Sequence, residues 1–422
     1  MAQAASVASR ESTQVNKKGT LSDPSTVGCH ATPTRARVAV VEPVGGHGGM
    51  NFYNQSLCQS LVQAGAQATL YTCDKTTVTG QEGFPIERPY RGIFGASRAW
   101  LRGLRFLRGS LQALPQARRS GHQVAHFHFF HVGPLELFNV LLARLLGLRV
   151  VITAHDVEAF KAGLSIALFV RWAYGASHRV IAHSQIAKRE LVEELRIDPA
   201  KIDVILHGNY LSSVQTDISP AMARAHFGLL PAQRVLLFFG QIKDVKGLDI
   251  LLLGFAKARE FDPTLHLLIG GRVWKSDFSV YQNLIDQHGL AAHCTLHIRY
   301  IPDAEVPCFY RCADLVVLPY RRIYQSGVAL LAMSYGTPVL VSDIDGFMEA
   351  VEDEKTGFVF KRQDPQHLAQ RLVEIFATPG HAAEVGQAGL RQVSQVNNWG
   401  RLGQQTLATY QRALQPEAHR EA

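Results

Sequence analysis

The feature that most limits the fold is an alternation of short apolar runs with longer helical patterns, which begins at Arg37. The run ARVAVVEP is followed by NQSLCQSLVQAG and then by QATLYTC, and the order repeats through QVAHFHFF, LRVVITAH and IDVILHG. Apolar runs of this length, separated by helical patterns, are typical of βαβ units in a parallel sheet. The first half of the chain is therefore predicted to be one doubly wound α/β domain, over residues 37–215.

The alternation stops in a polar stretch near residues 211–222 and then starts again with RVLLFFG, LHLLIGG, DLVVLPY and TPVLVSD. It predicts a second doubly wound, Rossmann-like domain over residues 216–397. Residues 398–422 begin with a helical pattern that could close the second domain or cross back to the first. Open parallel sheets bind ligands at the carboxyl ends of their strands, so we expect a site in a central cleft between two facing domains.

The rest of the composition narrows the class of protein. Residues 1–36 have no apolar run and are predicted to be a disordered leader, not a signal peptide. No stretch of about 18 uncharged apolar residues predicts a membrane span, so we expect a cytoplasmic protein. The net charge of +8 favours an anionic partner. Nucleic acid is not expected, because the basic residues are dispersed and no nucleic-acid-binding motif is present.

A glycine-rich turn, EPVGGHGGMNFYNQ, follows the first strand. Gly46, Gly48 and Gly49 let the backbone approach a ligand, and the N-terminus of the next helix favours an anion or a sugar hydroxyl. The pattern is not GxGxxG followed by an acidic residue on the second strand, so it gives little support to a dinucleotide site. We expect no cofactor.

His155 and Asp156 follow a buried strand in VVITAHDVEAF. A histidine there can donate to a sugar hydroxyl or a phosphate, and the aspartate can orient it or receive a proton from an acceptor. A purely structural histidine is the alternative. His126, His128 and His131 follow the preceding strand, but no convincing carboxylate accompanies them, and no metal site is predicted.

A strand, a glycine turn, a basic loop and a helix follow one another in LLFFGQIKDVKGLDILLLGFAKA. Lys243 and Lys246, beside Gly240 and Gly247, would bring ammonium groups and amides to a phosphate, although the P-loop pattern is absent. Lysines in an exposed loop are usually only solvated. The strand, turn and helix around them favour diphosphate binding.

The segment SRAWLRGLRFLRGSLQALPQARR has a basic amphipathic pattern. Its arginines, Arg98, Arg102 and Arg105, fall on one stripe, and its apolar side chains fall on another: Trp100, Leu104, Leu107, Leu111 and Leu114. Such a helix can lie on an anionic bilayer. Equally, the apolar stripe can face the core while the arginines face water.

Several segments together resemble a retaining glycosyltransferase of family 4, the glycogen-synthase-like group with a GT-B fold: GGHGGMNFY, VITAHD, ASHRVIAHS, IDVILHGNY, FFGQIKDVKGLDILL, ADLVVLPY and ALLAMSYGTPVLVSDIDGFMEAVEDEKTGFVF. The resemblance covers about Arg37 to Gln415. It implies that the second domain holds a nucleotide diphosphate sugar and the first presents the acceptor. It also implies that the glycine-rich turn approaches the donor phosphates, that His155 touches the transferred sugar and that Lys246 binds the diphosphate.

The chain departs from this family at three positions. Gln241 stands where the family commonly has Arg, and Ile323 and Leu331 stand where it has two glutamates. Donor recognition is therefore expected to use other groups, which are Gly46, Gly48, Gly49, Gln241, Lys243, Lys246, Arg321, Arg322, Tyr324, Gln325, Ser326 and the amides of Gly327 and Val328.

The predicted activity is transfer of a hexose from a nucleotide diphosphate sugar to a saccharide acceptor, one that is lipid-linked and belongs to cell-surface or exopolysaccharide biosynthesis. The predicted catalytic residues are His155, Asp156 and Lys246. No DxD-type carboxylate pair is present, so transfer should be independent of metal. Retention is implied by the resemblance, and inversion with Asp156 as base is the alternative. A catalytically silent GT-B partner protein and a sugar-nucleotide epimerase are the alternative functions, and peripheral binding to the inner face of the plasma membrane is expected for a lipid-linked acceptor.

Overall fold

The structure, a computed structural model, describes residues 35–45, 49–78, 80–156, 164–215, 217–274 and 277–416. The predicted leader lies outside these residues apart from Arg35 and Ala36, and so do Gly46 and Gly48 of the glycine-rich turn. Both sheets described below belong to one compact unit of contacts.

The first lobe is built on a seven-stranded parallel sheet in the order β3-β2-β1-β4-β5-β6-β7. Its strands are β1 (Arg37–Glu42), β2 (Gln67–Cys73), β3 (Ile86–Tyr90), β4 (Val124–Phe129), β5 (Arg149–Ala154), β6 (Arg179–Ala182) and β7 (Ile202–Val204). The helices that follow the strands are α1 (Gly49–Gln63), α2 (Ala99–Arg119), α3 (Pro134–Leu145), α4 (Leu164–Gly175) and α5 (Gln185–Glu193). The short helix α6 (Pro220–His226) comes next in the chain and packs against the second lobe.

The second lobe is built on a six-stranded parallel sheet in the order β10-β9-β8-β11-β12-β13. Its strands are β8 (Arg234–Phe239), β9 (Leu265–Gly270), β10 (Cys294–His297), β11 (Leu315–Leu318), β12 (Val339–Ser342) and β13 (Phe358–Phe360). Its helices, with the terminal ones, are α7 (Leu248–Arg259), α8 (Ser279–Gln287), α9 (Val306–Cys312), α10 (Gly327–Ser334), α11 (Asp345–Met348), α12 (Pro365–Ala377), α13 (His381–Val396) and α14 (Trp399–Leu414).

The predicted fold class, two doubly wound parallel α/β domains, is confirmed. Helices cover both faces of each sheet, so central strands such as β4 and β9 are buried along their whole length and read as continuous apolar runs. The strand order reverses beside β1 in the first sheet and beside β8 in the second. A reversal of this kind leaves a crevice at the carboxyl ends of the strands, which is where ligands bind in such sheets.

Helix α14 packs against α1 of the first lobe, and it also contacts β4, β5 and β6. The contact with α1 is close, because a Cβ on Gly403 would lie 2.7 Å from the backbone oxygen of Ser60. The C-terminal segment thus returns from the second lobe to the first. The domain limits at residues 215/216 and 397/398 stay predictions.

The apolar stripe of α2 divides between the core and the surface. Trp100, Leu104 and Leu111 are exposed, whereas Leu114 is buried beside Ala113. Neither of the two predicted orientations of this helix is therefore wholly right, because its second half turns toward the core. In the described part of the chain, no helix is long and apolar enough to cross a membrane.

Candidate functional site

The N-termini of α1 and α10, one from each lobe, meet around the hydroxyl of Tyr210. A Cβ atom on Gly49, the first residue of α1, would lie 3.1 Å from this hydroxyl, and one on Gly327, the first residue of α10, would lie 3.0 Å from it. Helix N-termini carry backbone N–H groups without intrahelical partners and a partial positive charge. The point where the lobes meet is therefore suited to an anion.

Lys246 adds a full positive charge beside the same helix end. A Cβ on Gly240 would lie 3.3 Å from Lys246 Nζ and 3.4 Å from Val328 Cγ2, so the ammonium group and the start of α10 flank one narrow space. Lys246 Nζ donates to the hydroxyl of Tyr320 at 3.0 Å. Gly240 has φ +104°, in the left-handed region that favours glycine, which explains the glycine at this turn.

Three of the predicted donor-binding side chains have other partners in the structure. Arg321 forms a two-point ion pair with Asp249, with distances of 3.0 and 2.6 Å. Arg322 and Tyr324 both donate to the carboxylate of Glu190 on α5, at 2.7 and 2.5 Å. A direct contact between these three groups and a donor, as predicted, would require those bonds to break.

The remaining predicted groups on this side differ in their surroundings. Ser326 is the N-cap of α10, and its hydroxyl accepts from the N–H of Ala329 at 3.2 Å. Gln325 is different, because its Oε1 is buried without a hydrogen-bond partner among the described residues. Gln241 is exposed, and Lys243 Nζ lies 5.8 Å from the ring centroid of Trp274. A buried acceptor without a donor is rare in folded proteins and marks Gln325 as a candidate ligand contact.

On the first lobe, five buried histidines lie on β4 or just beyond the carboxyl ends of β5, β6 and β7, and they form what we call the histidine cluster: His126, His128, His155, His183 and His207. Tyr53 of α1 lies in their midst, with its ring centroid 5.3, 5.0, 5.7 and 4.9 Å from the last four of these rings. The cluster continues to the meeting point of the helices, because His207 and Tyr210 have ring centroids 5.6 Å apart.

Hydrogen bonds fix most of these rings. His126 Nδ1 and Nε2 lie 2.8 Å from the Tyr410 hydroxyl and 2.7 Å from Thr153 Oγ1. His183 Nδ1 lies 2.8 Å from the carbonyl of Ile205. Because Tyr410 belongs to α14, the C-terminal helix helps to hold the cluster in place.

Burial keeps the cluster uncharged. Desolvation lowers the pKa of His126 to about 3, of His183 to about 4 and of His207 to about 3, and it lowers those of His128 and His155 well below 6.5. The rings therefore act at neutral pH as hydrogen-bonding groups and not as cations. No group of three or more His, Cys, Asp or Glu side chains within the described ranges is arranged to hold a metal ion.

His155, the predicted sugar contact, directly follows β5. Its Nε2 lies 3.0 Å from His128 Nδ1, and its ring stacks on Phe130 with centroids 4.6 Å apart. His128 Nε2 is buried without a partner in the described structure. Because orphaned buried N–H groups are rare, we assign the shared proton to His128 Nδ1. His155 then carries its own proton on Nδ1 and can donate it to a hydroxyl.

The other predicted residues of this lobe lie at the edge of the cluster or away from it. Asp156 is half-buried and directly follows His155. His131 is exposed and lies 3.7 Å from Glu136, so it does not join His126 and His128.

The second lobe also contacts α5 of the first lobe, and we call this contact the α5 clasp. Tyr324 is buried among the core residues of the first lobe and donates to Glu190 on α5. At the start of the same helix, the carboxylate of Glu349 accepts from the N–H groups of Gln185 and Ile186 at 2.8 and 2.9 Å. A negative charge at a helix N-terminus is stabilising. The loop between β11 and α10 is thus attached to the first lobe.

Sequence reasoning missed Tyr53, His183, His207, Tyr210 and Glu190. The two histidines had a usable signal, because each directly follows a short buried strand, in VIAHS and VILHG, as His155 does in VITAH. The other three had none, because their places in the site depend on contacts between segments far apart in the chain.

Two family models match, one on each lobe. Residues 47–209 match Glycosyltransferase Family 4, and residues 223–392 match Glycosyl transferases group 1. A D-inositol 3-phosphate glycosyltransferase from Segniliparus rotundus is 27% identical over 394 residues, which are 88% of this chain and 86% of that protein. The enzyme of the same name from Mycolicibacterium gilvum is 28% identical over 354 residues, 79% of this chain and 78% of that protein.

Solved structures share the two-lobed fold. A sucrose-phosphate synthase from Thermosynechococcus elongatus superposes with a TM-score of 0.72 at 20% identity, over 90% of this chain and 99% of that one. HepE from Anabaena, in complex with UDP-glucose, gives a TM-score of 0.71 at 16% identity, over 90% and 100% of the two chains. The chain therefore has the GT-B fold and belongs to glycosyltransferase family 4, enzymes that transfer a sugar from a nucleotide-sugar donor, as a variant that lacks the paired glutamates.

Proposed function

We propose that the protein transfers a hexose from a nucleotide diphosphate sugar, held by the second lobe, to a lipid-linked saccharide held by the first. The observation that carries this proposal is the convergence of Lys246, the N-terminus of α10 and the N-terminus of α1 on one space between the lobes. A cation and two helix ends favour a diphosphate. HepE, whose structure holds UDP-glucose, has the same fold.

In the proposed reaction, the bond between the anomeric carbon of the sugar and the terminal phosphate oxygen breaks. The acceptor hydroxyl oxygen bonds to that carbon, and its proton passes to the departing diphosphate with retention of configuration. Negative charge grows on the diphosphate as it leaves, so Lys246 and the amides of Gly327 and Val328 stabilise the transition state without a metal ion. Inversion, with Asp156 accepting the proton, is the alternative.

Two groups are proposed to contact the transferred sugar in place of the missing glutamates. Gln325 Oε1, a buried acceptor without a partner among the described residues, would accept from a hydroxyl. His155, uncharged and stacked on Phe130, would donate from Nδ1. Neither interaction requires a carboxylate at position 323 or 331.

The proposed acceptor is bound at a membrane surface by three neighbouring helices. We call this the α2–α4 surface, and its exposed apolar side chains are Trp100, Leu104, Leu111, Leu141, Leu145, Leu168 and Trp172. Helix α2 carries arginines and no acidic residue. Exposed apolar side chains with basic neighbours suit an anionic bilayer, and the surface belongs to the lobe assigned to the acceptor. This supports cell-surface or exopolysaccharide biosynthesis.

Inositol phosphate is a second candidate acceptor, because the relatives from Segniliparus rotundus and Mycolicibacterium gilvum are named for it. The two acceptors can be separated by incubating the protein and a radiolabelled sugar nucleotide with inositol 3-phosphate or with an organic extract of bacterial lipids. A labelled water-soluble product supports inositol 3-phosphate as the acceptor. Label in the organic phase supports a lipid-linked acceptor.

The donor site is tested by a thermal-shift panel of UDP-, GDP- and ADP-sugars in EDTA. We expect one nucleotide class to stabilise the wild type and Lys257→Ala, whose lysine is exposed on α7, but not Lys246→Ala. Stabilisation that requires Mn²⁺ would contradict metal-independent binding. No shift with any donor would favour a silent partner protein. The epimerase alternative needs a separate assay, in which the sugar nucleotide is incubated with the protein and no acceptor. Conversion of its sugar would favour an epimerase.

The membrane surface is tested by sedimentation with liposomes. We expect the wild type to bind vesicles that contain phosphatidylglycerol at low salt, and Trp100→Glu combined with Leu104→Glu to bind weakly. The control Phe261→Glu changes a side chain of the second lobe that is 73% exposed, and it should bind as the wild type does. Wild-type protein that stays in the supernatant would argue for a soluble acceptor.

A further inference from the structure

Tyr210 stands in the segment that follows β7, where the chain leaves the first lobe. Its backbone N–H donates to Ser334 Oγ of α10 at 3.1 Å, and its ring lies against His207 of the histidine cluster. The side chain is 8% exposed. Tyr210 is thus fixed by both lobes at the point where they meet.

The hydroxyl of Tyr210 is held between two glycines but has no hydrogen-bond partner among the described residues. Any side chain at Gly49 or Gly327 would come within 3.1 Å of it. Burial raises the pKa of the phenol, so the group stays protonated and can donate. A hydroxyl proton that no described residue accepts is available to a ligand that supplies an acceptor.

The charge around this hydroxyl identifies the kind of acceptor. The helix ends at Gly49 and Gly327 contribute partial positive charge. Lys246 adds a full charge close by, because its Nζ and the side chain of Val328, the second residue of α10, flank the same space at Gly240. A ligand with two adjacent anionic groups would satisfy the hydroxyl and the ammonium group together. A nucleoside diphosphate has this arrangement.

We propose that Tyr210 is a donor-binding residue whose hydroxyl donates a hydrogen bond to the diphosphate between the N-termini of α1 and α10. The proposal rests on the proposed function, and it adds a contact from the segment that joins the lobes. In this arrangement one phosphate faces Tyr210 and the other faces Lys246. The glycines at 49 and 327 leave the space that this contact needs.

The test is calorimetric titration of UDP, GDP and ADP into wild type, Tyr210→Phe and Gly327→Ala. A hydrogen bond to a charged group corresponds to about tenfold or more in affinity. We expect Tyr210→Phe to weaken the nucleotide that the wild type binds by about this factor. Gly327→Ala should do the same by placing a methyl group 3.0 Å from the hydroxyl, in the space proposed for the phosphate, and it provides a second test if Tyr210→Phe fails to fold.

The matched control is Tyr310→Phe, which removes a tyrosine hydroxyl that also has no partner in the described structure, from a ring stacked on Tyr335. It should bind nucleotide as the wild type does. Equal affinity of wild type and Tyr210→Phe would overturn the role of Tyr210 and leave the proposed function intact. Tighter binding by Tyr210→Phe would also overturn it, because the tyrosine would then obstruct the site. A wild type that binds none of the three nucleotides would overturn the proposed function as well.

Discussion

Mild acid should destabilise the protein through its histidine cluster, and replacing one member should measure the effect. The folded rings of His126, His183 and His207 have pKa values of about 3, 4 and 3. Unfolding exposes them and returns their pKa values to about 6.5. Below pH 6.5 the unfolded chain therefore binds protons that the folded protein does not, and the free energy of unfolding falls as the pH drops toward the folded values.

The size of the effect follows from these values. Between pH 7.5 and 5.5, each such histidine lowers the free energy of unfolding by about 1.4 kcal/mol, so the three together lower it by about 4 kcal/mol. Glu42 acts in the opposite direction. Burial raises its pKa to about 8, so the folded protein takes up a proton in this pH range and gains about 2.5 kcal/mol. Measured on the wild type alone, the change in the free energy of unfolding would therefore contain both the histidine and the Glu42 contributions.

The histidine contribution is isolated by comparing the wild type with His126→Gln. Urea unfolding at pH 7.5 and 5.5, at constant ionic strength, gives the loss of stability for each. We expect His126→Gln to lose about 1.4 kcal/mol less than the wild type, whatever its stability at pH 7.5. Equal losses in wild type and His126→Gln would refute the buried, neutral state of this ring.

Three further predictions concern stability. Glu42→Gln keeps an acceptor for the N–H of Val44 and removes the ionisable group, so its stability should exceed that of the wild type by a growing margin as pH rises from 6 to 9, measured by urea unfolding. Glu349→Ala removes the acceptor at the start of α5 and should lower stability by about 1 kcal/mol, whereas Glu349→Asp should lose less; equal losses would contradict the capping role. Gly247→Ala should be strongly destabilising, because the residue has φ +63° and its Cβ would lie 2.0 Å from the carbonyl oxygen of Pro319. The melting temperature should therefore fall, and a value equal to that of the wild type would contradict this packing.

The fold could be predicted because short strands, many of them buried on both faces, alternate with longer helices. The runs VAHFHF and LHLLIG are buried residue by residue, and even their histidines do not interrupt the pattern. The carboxyl ends of the strands then located the site in outline. His155 and Lys246 were found in this way, although their roles stay predictions.

The partners of individual side chains could not be predicted. Arg321 stands beside a helix start, and its charge favoured a donor contact, but the nearest carboxylate in space is Asp249 on another helix. Tyr324 was expected in the donor site and is buried against the first lobe. In both cases the outcome depends on how two distant segments pack, and no local pattern carries that information.

The α5 clasp has a consequence for the rate at which substrates exchange. Separating the lobes would expose the ring of Tyr324. It would also break the hydrogen bonds that Tyr324 and Arg322 donate to Glu190, and these changes together would cost about 4 kcal/mol. Only about one molecule in a thousand would then be open at any moment. If a donor reaches its site only in open molecules, its association is slowed by that factor. Weakening the clasp would then speed the binding of the donor.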